Sequence, residues 1–258
     1  MKVGPQIKNL KASRGAAGVV VPDWVDQIRP PRSEALVYPK SLQDSVDDVG
    51  RMLSLPAPTA PRVLLFGPPG VGKTATLRNW AFGSTRPFWW VRADRLITSF
   101  LGGTVSNLTH LFRAAREVGA VLVFDDLDAY ARRRDDPREG GESRRTVVGL
   151  LSALDETAGS VAVVAATNLP ESVDPAALRR FQHMLAFRPL GVDHTKLLVR
   201  QASGVKRVSP ELVRLARKMS PAEVVDALQH GLKVADTAAA ARSLRARADA
   251  MSMIGKSR

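Results

Sequence analysis

"RVLLFGPPGVGKTATL", residues 62–77, sets the stiffest residues of the chain against its most flexible ones. The apolar run Val63-Leu64-Leu65-Phe66 reads as a buried strand, and "KTATLRNW" from Lys73 onward reads as a helix. Between them lie Gly67, Pro68, Pro69, Gly70, Val71 and Gly72, which meet the pattern G-x-x-x-x-G-K-S/T together with Lys73 and Thr74. The glycines let the backbone curl with its amides facing inward. The helix that follows, through Ala75, offers its N-terminal N–H groups and the positive end of its dipole to the same point. Lys73 adds a compact charge for terminal phosphates, and the Thr74 hydroxyl is a ligand for Mg²⁺. The rigid strand fixes where this cradle sits.

Working outward, short apolar runs alternate with helical stretches. The runs are Val63–Phe66, Phe88–Val91, Val121–Phe124, Val161–Ala166 and Met184–Phe187. In "VSNLTHLFRAAREV", Val105, Leu108, Leu111, Phe112, Ala115 and Val118 fall on one helical face. Strands alternating with helices imply crossover connections. Continuous apolar runs imply parallel strands covered on both sides. Upstream, residues 1–36 read as an extended arm broken by Pro5, Pro22, Pro30 and Pro31. "SLQDSVDDVGRML", 41–53, predicts a helix with Ser41 as its N-cap. From Asp193 on there is no strand signal, and proline stands at the first turn of two helical stretches. The expected organisation is an arm (1–36), an α/β domain (37–190), a helical lid (191–235) and a basic C-terminal helix or tail (236–258).

Composition limits the chemistry. None of the 258 residues is cysteine, which removes disulfides and thiolate metal sites and fits a reducing, cytoplasmic setting. No apolar stretch approaches the ~20 residues of a membrane span. The formal charge of +13 favours polyanionic partners such as nucleic acid, although the arginines are spread along the chain.

Two further strand ends carry polar groups. "VLVFDDLDAYARRR" ends its strand in Asp125 and Asp126. Beside a phosphate cradle the first acid can hold Mg²⁺ through water and the second can polarise an attacking water; in isolation such a pair is a cap or a turn. "VAVVAATNLP" ends in Thr167 and Asn168, and the Asn168 amide could orient water or touch a γ-phosphate.

Together, "GPPGVGKT", "SFLGGTVSNLTHLFRAAREVGAVLVFDDLDAYARRR" and "VAATNLPESVDPAALRRF" resemble the AAA+ ATPases, in particular the AAA subfamily that includes membrane-anchored proteases and spastin- and katanin-type remodellers. The resemblance runs from about residue 37 to 230. It implies a parallel five-stranded P-loop sheet flanked by helices, followed by a small all-α lid. It also implies ATP and Mg²⁺ bound between the subunits of a ring, commonly a hexamer. By position it assigns Lys73 and Thr74 to phosphates and metal, Asp125 to metal, Asp126 to the place of the catalytic glutamate, and Asn168 to the sensor. Arg179 and Arg180 stand where fingers reach a neighbour's γ-phosphate, with the choice between them open. Phe100-Leu101-Gly102 stands at the central-pore loop, where an aromatic side chain grips a threaded polypeptide.

The chain departs from the family pattern in four respects. Asp126 is one methylene shorter than glutamate, which implies slow hydrolysis. The finger segment is contracted to "LRRF". Pro221 replaces a glycine beside the nucleotide, leaving Ser220 and Ala222 to line that side. No substrate-recruiting domain and no zinc-protease motif are recognisable. The leading expectation is a ring ATPase that remodels or threads a protein partner. The alternatives are a nucleic-acid helper ATPase, favoured by charge and by clusters such as Arg132–Arg134 and Arg144-Arg145, and a nucleotide-gated scaffold.

Overall fold

Every apolar run singled out above becomes a strand in the computed structural model, which describes residues 21–54, 60–97, 103–133, 141–205, 207–230 and 237–255. The described residues form two compact units. One takes in the chain up to Glu34 together with Asp44–Gly67 and Thr74–Ala186; the other takes in Ala35–Gln43, Pro68–Lys73 and the chain from Phe187 onward.

The first unit is built on a six-stranded sheet in the order β1-β3-β4-β5-β2-β6. Its strands are β1 (Val25–Gln27), β2 (Arg62–Phe66), β3 (Phe88–Val91), β4 (Val121–Asp125), β5 (Ala162–Thr167) and β6 (His183–Ala186). From β3 to β6 every pairing is parallel, so the five predicted strands form the expected parallel sheet. The sixth strand lies within the stretch expected to be an extended arm. β1 runs antiparallel to β3, with Val25 opposite Val91 and Gln27 opposite Trp89. Asp26 ties it down by ion pairs to Arg92 (3.0 Å) and Arg95 (3.3 Å), and the Arg92 amide donates to the Trp24 carbonyl (2.8 Å).

The central strands are buried on both faces, as parallel strands between helices must be; Val63, Leu64, Val121, Leu122 and Val164 are fully enclosed. Around the sheet lie α1 (Lys40–Ser54), α2 (Lys73–Gly83), α3 (Ala93–Leu96), α4 (Gly103–Val118), α5 (Gly141–Glu156) and α6 (Pro175–Leu178). α4 buries Leu108, Leu111, Phe112 and Ala115 from the predicted stripe, while Val105 at its edge stays 37% exposed. Each fully buried Leu or Phe is worth ~1.5–3 kcal/mol over an exposed one, so this stripe is the helix's main apolar anchor. Tyr130 closes the core: its hydroxyl donates to the Val91 carbonyl at 2.8 Å, and burial pushes its phenol above the ordinary range. α1 begins at Lys40, one residue before the expected Ser41 cap, because the Pro39 carbonyl accepts from the amides of Leu42 (3.0 Å) and Gln43 (2.9 Å) and makes the first turn itself.

The second unit holds α7 (Val192–Ser203), α8 (Pro210–Ala216), α9 (Pro221–His230) and α10 (Thr237–Gly255). Leu198, Val199, Leu212, Val224, Leu228, Ala240 and Leu244 form its own apolar core. Ser209 caps α8 by accepting from the Leu212 amide. No described helix is long and apolar enough to cross a membrane.

Candidate phosphate and hydrolysis site

The glycine-rich loop leaves the end of β2 and enters α2 at Lys73. Gly70 and Gly72 have φ of +74° and +105°, conformations that side chains rarely tolerate, and these turns give the loop its curl. Lys73 is buried, and its ammonium donates to the Pro68 carbonyl at 2.8 Å, so the charge is folded into its own loop. In the same unit, the Ala222 amide donates to the Gly70 carbonyl at 3.0 Å. A Cβ on Gly70 would lie 2.7 Å from Ser220 Cβ and nearer still to its hydroxyl. The predicted lid residues Ser220 and Ala222 therefore meet the phosphate loop itself. Ser220 is held by a capping box, with Glu223 Oε2 accepting from its amide (2.7 Å) and its hydroxyl (2.8 Å). Pro221 fits where glycine was expected because it opens α9, in the first turn, where a missing N–H costs nothing.

At the carboxyl ends of β4 and β5 the other predicted groups assemble. The Thr74 hydroxyl donates to Asp125 Oδ1 at 3.2 Å, joining the start of α2 to the end of β4. Hydroxyl and carboxylate are hard oxygen donors of the kind Mg²⁺ takes when phosphates and water complete its shell. Among the described residues no group of three or more His, Asp or Glu is arranged to hold a metal. The pair thus fits a cation completed by phosphate oxygens rather than an all-protein cage.

Asp126 is exposed and sits at φ 72°, ψ 61°. Among the described residues it alone, apart from glycines, has positive φ. Such backbone costs ~1–3 kcal/mol and tends to cluster where function requires it. A left-handed residue directly after the strand turns the chain into the short 3-10 helix Leu127–Ala129.

That turn carries Asp128, a residue the sequence reading passed over. Asp128 Oδ1 accepts from the Thr167 hydroxyl at 2.7 Å, and the Thr167 oxygen in turn accepts from the Leu169 amide at 3.0 Å. Thr167 is fully buried, so its hydroxyl clamps both sides of Asn168 to the β4 turn. The available signal was the third acid in "DDLD", which sits beside the site but reads as a surface residue.

Arg179 and Arg180, at the end of α6, have different surroundings. Arg180 donates to both carboxylate oxygens of Asp155 (2.8 and 2.5 Å) and to the Ala176 carbonyl (2.6 Å). This pair raises the Arg180 guanidinium and lowers the Asp155 carboxyl from their ordinary values. Arg62, buried at the start of β2 with its guanidinium donating to the Leu154 carbonyl, adds positive charge facing Asp155. Arg179 is exposed and makes no ion pair among the described residues. Phe100, Leu101 and Gly102 lie outside the described residues.

A parallel sheet with a glycine-rich loop after β2, a lysine and threonine opening the next helix and an aspartate ending β4 defines a P-loop nucleotide-binding fold. Residues 63–189 match the family described as "ATPase family associated with various cellular activities (AAA)", and the chain belongs to the AAA+ ATPase superfamily. Over 126 residues it is 44% identical to an uncharacterised AAA family ATPase, y4kL, of Sinorhizobium fredii, covering 49% of this chain and 38% of that protein. Over 193 residues it is 32% identical to the ATP-dependent zinc metalloprotease FtsH 1 of Petrotoga mobilis, covering 69% of this chain and 30% of that protein. It is 36% identical over 130 residues to a proteasome-activating nucleotidase of Methanococcus maripaludis, covering 48% and 32%. The chain thus spans about a third of the length of these relatives. The fold is also similar, at a TM-score of 0.66 and 18% identity, to a chain in the solved E. coli MS115-1 HORMA:CdnC:Trip13 complex, covering 81% of this chain and 88% of that one.

Proposed function

We propose that the chain is an ATP hydrolase that works as a ring, sharing each ATP between neighbouring subunits, and acts on a protein partner. The observation that carries this reading is the Thr74–Asp125 hydrogen bond, which joins the two motifs that serve phosphate and metal. Gly67 to Ala75 form the phosphate loop, with Lys73 neutralising the terminal phosphates. Thr74 and Asp125 hold Mg²⁺, which when bound offsets the charge that builds on the phosphate oxygens. Asp126 accepts a proton from the attacking water, and Asn168, clamped from both sides through Thr167, orients that water. Arg179, exposed and without an ion pair among the described residues, is the finger offered to a neighbour; Arg180 is committed to Asp155 within its own subunit. A finger in trans is worth 10³–10⁵ in rate in comparable phosphoryl transfers. The relatives named for a protease and a proteasome activator support a protein substrate, with Phe100 as the residue that grips it.

The test is phosphate release by the purified chain with Mg²⁺ and ATP, measured with particle mass at rising protein concentration. Turnover that rises with assembly and vanishes in Lys73→Ala is expected; a chain that stays monomeric and inert with saturating nucleotide overturns the reading.

The formal charge of +13 and the exposed Arg132, Arg133, Arg144 and Arg145 favour a second reading, a ring that handles DNA. It predicts ATP-dependent DNA affinity that falls steeply with salt, because phosphate contacts release counterions.

A further inference from the structure

The helical unit contains an open groove of ≈ 400 Å³ between α7 and α8 that no step of the phosphate chemistry uses. This is near the lower end of the ~300–1,000 Å³ typical of ligand pockets. Its apolar lining is Val192, Val208, Pro210 and Val213. Val208 and Val213 belong to the unit's core, whereas Val192 is 51% exposed. Around this floor stand Lys196, Arg214 and Arg217, all exposed, against the single acid Asp193. None of the three cations makes an ion pair among the described residues. They owe their convergence to spacing: Val192 and Lys196 lie one turn apart on α7, and Pro210, Val213, Arg214 and Arg217 follow one stripe through and just past α8.

We propose that this groove is a docking site for an acidic peptide segment that carries an apolar anchor residue. Charge selects the occupant. A rim with three cations and one anion attracts carboxylates, and the valine floor gives an aliphatic or aromatic side chain a place to leave water. A second copy of this chain, at a net charge of +13, would bring further cations to a cationic rim. A nucleic-acid backbone would satisfy the rim but leave the apolar floor without a partner, and no aromatic side chain lines the cavity to stack on a base. The inference is independent of the ATPase reading, since none of these residues belongs to the phosphate site.

The experiment pans a phage-displayed library of random dodecapeptides on the full chain and measures the enriched peptides, fluorescein-labelled, by anisotropy. Enriched sequences are expected to carry Asp or Glu beside a Leu, Ile or Phe. Their affinity should fall about tenfold or more in Arg214→Glu/Arg217→Glu, in keeping with several weak exposed charge pairs reversed at once. It should fall again when the peptide's apolar anchor is changed to serine. Both arginines are exposed, so the variant should keep its Tm and its ATP turnover, and Val192→Asp gives a second disruption from the floor. The proposal is overturned if no acidic class is enriched or if enriched peptides bind the double variant equally well. It is also overturned if a fluorescent oligothymidylate binds the wild type and loses that binding with the same two arginines, which would make the groove a nucleic-acid site.

Discussion

Arg180 grips Asp155 with both arms of its guanidinium, Nε to Oδ1 at 2.8 Å and Nη2 to Oδ2 at 2.5 Å, and so joins the end of α6 to the end of α5. Its neighbour Arg179 is left exposed. The two arginines should therefore separate by phenotype. Arg179→Ala is expected to leave Tm unchanged and to cut assembly-dependent ATP turnover by at least tenfold. Arg180→Ala should lower Tm by roughly 1–3 °C, in line with ~0.5–1 kcal/mol for a well-formed, partly exposed pair. Equal losses of turnover with no change in Tm for either would refute the division of labour.

The same pair sets a pH dependence. Asp155 is held below the ordinary carboxylate range by Arg180, so the unfolded chain takes up its proton first as pH falls. The stabilisation is therefore complete above about pH 4, the unfolded value, and fades as pH drops through the depressed folded value. Thermal melts of wild type and Asp155→Asn should differ at neutral pH and converge in strong acid. A difference that grows on acidification would contradict this sign.

Asp126 should show opposed effects on stability and rate. Asp126→Gly relieves left-handed backbone and is expected to hold or raise Tm while abolishing turnover. Asp126→Glu restores the longer side chain of the family and should raise kcat between tenfold and a hundredfold, the scale on which ~1 Å of misplacement acts. No gain in kcat would mean that side-chain length does not limit the reaction.

Thr167→Val keeps shape but leaves Asp128 and the Leu169 amide without their shared hydroxyl. Leaving such groups unpaired costs ~1–3 kcal/mol, or roughly 3–8 °C in Tm. With both bonds that clamp Asn168 lost, kcat should fall more than KM rises, and Thr167→Ser should recover both. A valine variant with wild-type kcat would remove Thr167 from the positioning of Asn168.

What the sequence made legible follows its physics. β2 to β6 were readable because parallel strands covered on both faces must be continuous apolar runs. The phosphate loop was readable because its glycines, lysine and threonine have few other uses at that spacing. β1 was not, since Val25–Gln27 is short, carries an aspartate and a glutamine, and lies between Pro22 and Pro30; its strand character comes from β3 alongside it. Nothing in the sequence distinguished Arg179 from Arg180, because Asp155, which pairs with Arg180, belongs to a different helix. The backbone of Asp126 gave no sign, because aspartate does not announce positive φ as glycine does.

The short strand at the start of the described chain has one more effect. It occupies the hydrogen-bonding margin of β3, a segment that reads Phe88-Trp89-Trp90-Val91. A version of the protein begun after Gln27 would offer that aromatic margin to any other chain able to extend along it. Such a truncation should therefore precipitate, or pair through intermolecular strands, under conditions where the longer chain stays clear. Covering that margin is the work expected of Val25–Gln27, residues outside the proposed phosphate site.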